Sequence, residues 1–301
     1  MRARSLLLLG VSASALGCFN FGSVSGGTPN DAGSQPSGGD GSVATSGDGG
    51  ASGTGFCATL AAPTQSATKR FCDDFDDYSG SSADNWDQTI AQNGTVNVDK
   101  LAQFSKPASL LTETGAAAPG VQAEADVLRA FSDFTGNGIA ISISFEMNIE
   151  TWDPSSSAQI IAFEVIFKNS TAQFNQLVMN LNSQGTGGVT AQIAENSTGA
   201  DGGENGYNSY PFSGHPVTKT WTKVEVDINV PNPTGSQSNS ITVKLDGKTQ
   251  ISAQALQIPL QGGTPYVHLG IGYVGTAPST AAAPWTVHYD NFVADITPFT
   301  P

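Results

Sequence analysis

Glu146, Asn148 and Glu150 stand at alternate positions of the segment from Gly138 to Glu150, opposite a strictly apolar set of Ile139, Ile141, Ile143, Phe145, Met147 and Ile149. Successive side chains of a strand point to opposite faces, so this spacing puts two carboxyls on one wet face of a β-strand. Paired carboxyls can cleave glycosidic bonds, one giving a proton while the other acts as base or nucleophile. A retaining enzyme holds them about 5 to 5.5 Å apart, whereas residues four apart on a regular strand are separated by roughly 13 Å. Catalysis by Glu146 and Glu150 therefore requires convergence or a bulge, and the competing reading is the plain polar face of a strand. A second alternation, Glu225-Val226-Asp227-Ile228-Asn229, ends on an Asn that cannot donate a proton usefully at neutral pH.

Recognition is the other candidate chemistry. Tyr207, Tyr210, Phe212 and His215 lie among Gly and Asn between Asn196 and Pro216, which reads as a long loop. Trp152 precedes Asp153-Pro154 in another loop. Aromatic faces stack on sugar rings and Asn side chains bond hydroxyls, so these five are candidate glycan contacts. The alternative is that they pin their loops to the body of the protein. No Ser/His/Asp order, phosphate-cradling glycine loop or metal-spaced His pair stands out.

The elements that must position these residues are strands. Val224, Val226, Ile228 and Val230 alternate with Glu225, Asp227 and Asn229, and Ile241, Val243 and Leu245 alternate with Thr242, Lys244 and Asp246. Two such segments around a loop make an antiparallel pair, with Lys244 on the side of Glu225 and Asp227, and Asp246-Gly247 suits a tight hairpin turn. Ile160 to Phe167 is more uniformly apolar with Glu164 inside it, which fits a central strand covered on both faces. Leu177 to Asn182 and Val189 to Ala194 flank a glycine-rich turn as a hairpin. Val121 to Phe131 reads as a strand or a short helix, and Tyr266 to Val274 as a strand. In Thr286 to Ile296 the apolar phase slips, which indicates a β-bulge at Asp290-Asn291. Trp86, Trp221 and Trp285 are expected in the core. With no long helix and no repeat, the pattern is an all-β sandwich.

Charged residues are only 13% of the 301, and the net charge is −14. Nucleic acid and anionic membrane surfaces require clustered Lys and Arg, so neither is an expected partner. Residues 1–18 carry Arg2 and Arg4, a short apolar run from Ser5 to Val11, and Ala15-Leu16-Gly17-Cys18. The run is too short to span a bilayer. The four residues resemble a bacterial lipoprotein box, with Ala15 where Leu is usual. The resemblance implies lipidation of Cys18, export and tethering at the outer membrane or cell surface, or secretion if the box is not used. Residues 19–55 are rich in Gly, Ser, Asp and Thr and bury almost nothing, so they read as a flexible tether of roughly 30 to 35 Å. Residues 56–301 form the folded domain. Cys57 and Cys72, an even pair in an exported chain, are expected to form a disulfide.

The order of segments, with a DDF near the domain start, W-x-K-V-E-V-D-I followed by I-T-V-K-L-D-G-K, Y-V-H-L-G-I-G-Y and V-H-Y-D-N-F-V-A-D-I at the end, resembles the concanavalin A-like jelly roll. That superfamily includes laminin-G-like domains, lectins and laminarinase-type glucanases. The resemblance implies two curved antiparallel sheets that take ligands on a concave face or at one rim. It also sets Glu146 to Glu150 beside the laminarinase Glu-x-Asp-x-Glu signature, with Asn148 in place of the middle Asp, although the segment occupies an earlier strand of the family order. Asp290 is placed where related modules use a final-strand Asp as a calcium ligand, with further oxygens expected near Asp73 and Asp74. The leading expectation is a non-catalytic carbohydrate- or matrix-binding domain. The alternatives are a polysaccharide-cleaving enzyme using Glu146 and Glu150, or a purely structural envelope module.

Overall fold

The computed structural model describes residues 55–76, 78, 85–116, 121, 123–134, 137–154, 158–168, 174–198, 204–232, 238–275 and 283–299. The expected signal segment, the Cys18 lipid box and residues 19–54 of the tether lie outside the described residues. Backbone contacts divide the chain into Met1–Ala32 and Gly33–Pro301, and every described residue belongs to the second unit.

A single helical turn, α1 (Phe56–Thr59), leads into β1 (Lys69–Asp73), β2 (Gln88–Gln92), β3 (Gly94–Asp99), β4 (Ser109–Thr114) and β5 (Ala123–Ala130). The long β6 (Ile139–Thr151) precedes β7 (Gln159–Lys168), β8 (Phe174–Ser183), β9 (Val189–Thr198) and β10 (Glu204–Pro211). The chain ends with β11 (Thr222–Val230), β12 (Ser240–Leu245), β13 (Lys248–Ala255), β14 (Thr264–Gly275) and β15 (Trp285–Pro298). An eight-stranded sheet runs β13-β12-β11-β6-β15-β4-β3, with β1 also on β15. A seven-stranded sheet runs β10-β9-β8-β7-β14-β5-β2. All pairings are antiparallel among the described residues.

One apolar cluster fills the space between the sheets, and the alternation explains how. Ile141, Ile143 and Phe145 of β6 meet Phe163 and Val165 of β7, Met179 of β8 and Leu269 of β14. Tyr289 of β15 crosses this layer, its hydroxyl donating to the carbonyl of Ala162 at 2.8 Å. That bond lands where the β7–β8 register shifts between Ile161 and Phe163. The Cys57–Cys72 disulfide ties α1 to β1, closing a separation of 15 residues. In β15 the register with β6 shifts between Asp290 and Val293, and Asn291 has φ +52°, so the expected bulge is present. Glu225 faces Lys244 across β11–β12 as the pattern requires.

Two expectations change and one alternative is settled. Residues 204–211, read as part of a loop, pair with β9 as edge strand β10. Val121 to Phe131 settles as strand, not helix, because Ala123, Ala125 and Val127 enter the core with period two. β7 is central and carries buried residues on both faces, with Ile160, Phe163 and Val165 in the main core and Ile161 and Glu164 on the opposite face. Trp86 and Trp285 are core residues, whereas Trp221 is only half-buried and packs edge-on to Phe104 and His288 outside it.

Candidate functional site

On the seven-stranded sheet, the face turned away from the core carries a group of titratable side chains. Val127 and Leu269 point inward, so their neighbours Asp126 on β5 and His268 on β14 point outward, as does Glu164 on β7. Cross-strand register sets His268 directly against Glu164, and Asp126 against Gly270. His268 Nδ1 donates to Asp126 Oδ2 at 3.1 Å. Asp126 is fully buried, and Glu164 and His268 are less than a tenth exposed. Glu124, two residues before Asp126, joins them on the same face and is partly exposed.

Burial alone would push the His268 imidazolium towards neutrality. The bond to Asp126 and the charges of Asp126, Glu164 and Glu124 outweigh it and hold His268 up to about 9. Burial raises Glu164 to about 7, with His268 opposing and Asp126 adding to the rise. Burial and the Asp126 charge raise Glu124 to about 8. Around neutral pH this face thus holds an imidazolium fixed by Asp126 and two carboxyls poised to exchange protons.

The rest of the face is built for uncharged polar matter. Gln176 and Asn180 on β8 and Asn196 on β9 are buried beside a small apolar strip of Ile161, Val178 and Ala194. Asp126 Oδ1 and both side-chain amide atoms of Asn196 are buried without a hydrogen-bond partner among the described residues. A buried polar atom left unpaired costs about 1 to 3 kcal/mol, which is the signature of a place kept for a ligand or bound water. Gly270 and Gly272 leave the floor beside Asp126 without side chains.

Glu146 and Glu150, the carboxyls singled out by spacing, lie on the outer face of the other sheet. They stand four residues apart on β6, whose register with β15 shifts between Thr286 and Val287 next to Glu150, and they take different partners. Glu150 bonds His288 Nε2 at 2.7 Å. Glu146 is buried beside Lys223, and burial raises it to about 7. Trp152, Tyr210 and Phe212 are partly buried and pack against the main core. The Trp152 indole donates to the Gly185 carbonyl at 2.9 Å, and the Tyr210 hydroxyl to Glu195 at 2.6 Å. His215 is exposed, and the Tyr207 side chain is outside the described residues, with its backbone paired to Asn196. Asp290, the expected calcium ligand, lies at the bulge of β15. Its carboxylate, fully buried, accepts from the backbone of Phe104, Ser105 and Asn291 and from the Ser105 hydroxyl. Asp73 likewise accepts from Phe75 N, the Trp86 indole and the Tyr78 hydroxyl. These bonds spend both acids on fixing loops, and among the described residues no group of three His, Cys, Asp or Glu is placed to hold a metal.

No protein-family model matches this sequence, and no curated protein matches it closely enough to count as a relative. Solved structures do share its shape. The endo-β-1,4-glucuronan lyase of the fungus Trichoderma reesei superposes with a TM-score of 0.53 at 12% identity, over 71% of this chain and 92% of that one. An alginate lyase superposes with a TM-score of 0.48 at 15% identity, over 75% and 96%. An endo-1,3-β-glucanase of Streptomyces sioyaensis gives 0.42 at 14% identity, over 78% and 99%. At such identities the likeness is one of fold, and that fold is the concanavalin A-like jelly-roll sandwich expected from the sequence.

Proposed function

We propose that this domain binds a polysaccharide along the outer face of the seven-stranded sheet and hydrolyses it there, on a chain exported and tethered through a lipid on Cys18. The observation that carries the reading is the buried His268 held between Asp126, Glu164 and Glu124 on an otherwise carboxamide-lined face. The fold shared with a glucuronan lyase supports a polymer of sugars as the ligand. Glu124 and Glu164 are the carboxyls this face offers for the two proton transfers that hydrolysis of a glycosidic bond requires, one to the leaving oxygen as the C–O bond breaks and one from the water whose hydroxyl joins the anomeric carbon. Asp126 holds His268, whose charge opposes the rise of Glu164.

The test is release of reducing ends from a panel of soluble and insoluble polysaccharides by the mature chain. Release that disappears in Glu124→Gln and Glu164→Gln, with folding intact, is the expected result. Retention on one polymer without release would return the domain to non-catalytic binding, and neither retention nor release would leave a structural module. The Glu146→Gln/Glu150→Gln double variant should release ends normally; its inactivity would move the site to the other sheet. The tether has its own check. Cys18→Ser should shift the protein from the membrane fraction to the soluble one, and an unchanged distribution would remove the lipid anchor.

A further inference from the structure

We propose that the polymer taken by this face is a neutral polysaccharide and not a polyuronate, an inference that rests on the binding reading above. The seven strands carry only two Lys or Arg residues, Arg129 and Lys168. Arg129 is unavailable to a ligand on the outer face. It sits on the core side of β5, its guanidinium over the Phe71 ring at 4.8 Å and bonded to Asp87 at 2.9 Å. Lys168 shares the outer face with Glu164 but stands four residues away at the end of β7, roughly 13 Å distant. His268 is already paired with Asp126. The Asp126 and His268 charges thus offset each other, and beside the carboxyls of Glu124 and Glu164 the seven strands offer a ligand one distant ammonium.

A polyuronate brings a carboxylate on every sugar. Laid across this floor, those carboxylates would lose water beside Glu164, whose ionisation they would oppose, with no guanidinium to answer them. The carboxamides of Gln176, Asn180 and Asn196 suit hydroxyls instead, each able to donate and accept. The unpartnered amide of Asn196 and the free Oδ1 of Asp126 are an unfilled donor and acceptors on the same face. Ile161, Val178 and Ala194 form a dry strip against which the C–H face of a neutral sugar ring packs without penalty. The jelly-roll fold is shared with lyases named for glucuronan and alginate, but this charge pattern points away from such polymers.

Affinity electrophoresis of the mature, full-length protein in gels containing β-1,3-glucan, β-1,4-glucan, xylan, mannan, alginate or polyglucuronate, at low and moderate salt, tests this. At least one neutral polymer should retard the protein about tenfold more strongly than either polyuronate, a difference of about 1.4 kcal/mol. The Glu124→Gln/Glu164→Gln variant should gain retardation in the polyuronate gels. Equal or stronger retardation by a polyuronate would overturn the inference and leave the glycan reading standing. Retardation by no polymer would overturn both.

Discussion

An imidazole bonded to a buried Asp and faced by two further carboxyls should stay charged well past neutrality. The chain has only three His, so each can be followed in an NMR titration. His268 is expected to titrate at about 9, against about 6.5 for an unperturbed imidazole. Asp126→Asn removes the charge facing Nδ1 and should lower the His268 value by more than one unit; a His268 that already titrates at about 6.5 in the parent protein would dismiss the cluster as described. Activity should follow the same chemistry, with loss of roughly 10²- to 10⁴-fold in Glu124→Gln or Glu164→Gln. The optimum should fall between about 7 and about 8, where one of the two carboxyls is ionised. None of this was legible as a motif. Asp126, Glu164 and His268 are single polar residues in three strands that the sheet brings together across more than a hundred positions. Only the oddness of Glu164 within the apolar run Ile160 to Phe167 hinted at them, and a strand buried on both faces explained that equally well. Glu146 and Glu150 drew attention because spacing within one strand is visible in sequence, whereas register between strands is not.

Strands place these residues through register, and the tightest point in that placement is β14. Gly270 has φ +131°, and a Cβ there would lie 2.6 Å from the Ala125 carbonyl and 2.7 Å from the Asp126 Cα. Backbone cannot yield cheaply, so Gly270→Ala should force β5 from β14, displace Asp126 and cost more than about 2 kcal/mol along with most of the activity. At Gly272 the nearest atoms would be the Ile161 Cγ2 at 3.4 Å and the Asp126 Oδ2 at 3.5 Å, ordinary contacts. Gly272→Ala should therefore fold with nearly unchanged stability in urea. Equal denaturation midpoints for the two variants would refute the strain argument. The bond from Tyr289 to Ala162 joins the sheets at a bulge, so Tyr289→Phe should cost about 1 to 3 kcal/mol by leaving that carbonyl unpaired. At this scale the sequence was informative wherever one face is wet. β6, β11, β12 and β15 announce themselves by alternation, and even the bulge at Asp290-Asn291 shows as a slipped phase. β10 escaped because Gly, Asn and Ser give an edge strand no apolar phase to read, and its pairing with β9 supplies what composition withholds.

Across the whole domain, buried acids set the pH dependence of stability, in an unusual direction. Burial raises Asp73 to about 6, Glu146, Glu164 and Asp290 each to about 7, and Glu124 to about 8. A carboxyl whose value rises on folding binds its proton more tightly in the native state than in the unfolded chain. Its contribution is present in full below the unfolded value near 4.5 (3.8 for Asp) and is lost as pH climbs through the folded value. His268, raised from 6.5 to about 9, acts the same way over the higher window, stabilising below 6.5 and fading as pH passes 9. The six groups thus pull together, and general repulsion within a chain of net charge −14 grows over the same range. The melting temperature should be highest in mildly acidic solution near pH 5 and drop by several degrees by pH 9. Glu164→Gln, which keeps the shape and removes one titration, should flatten the descent between pH 5 and 7 without reversing it. The disulfide separates this effect from simple marginality. Closing a separation of 15 residues is worth about 3 kcal/mol in the chain-entropy model, so Cys57→Ser/Cys72→Ser should lower the curve almost equally at every pH. Scanning calorimetry on the three proteins from pH 4.5 to 9 decides the matter. A parent curve that rises with pH, or a Glu164→Gln curve parallel to it, would mean that these acids are not held protonated by the fold, and the proton-exchanging pair proposed for the outer face would fall with them.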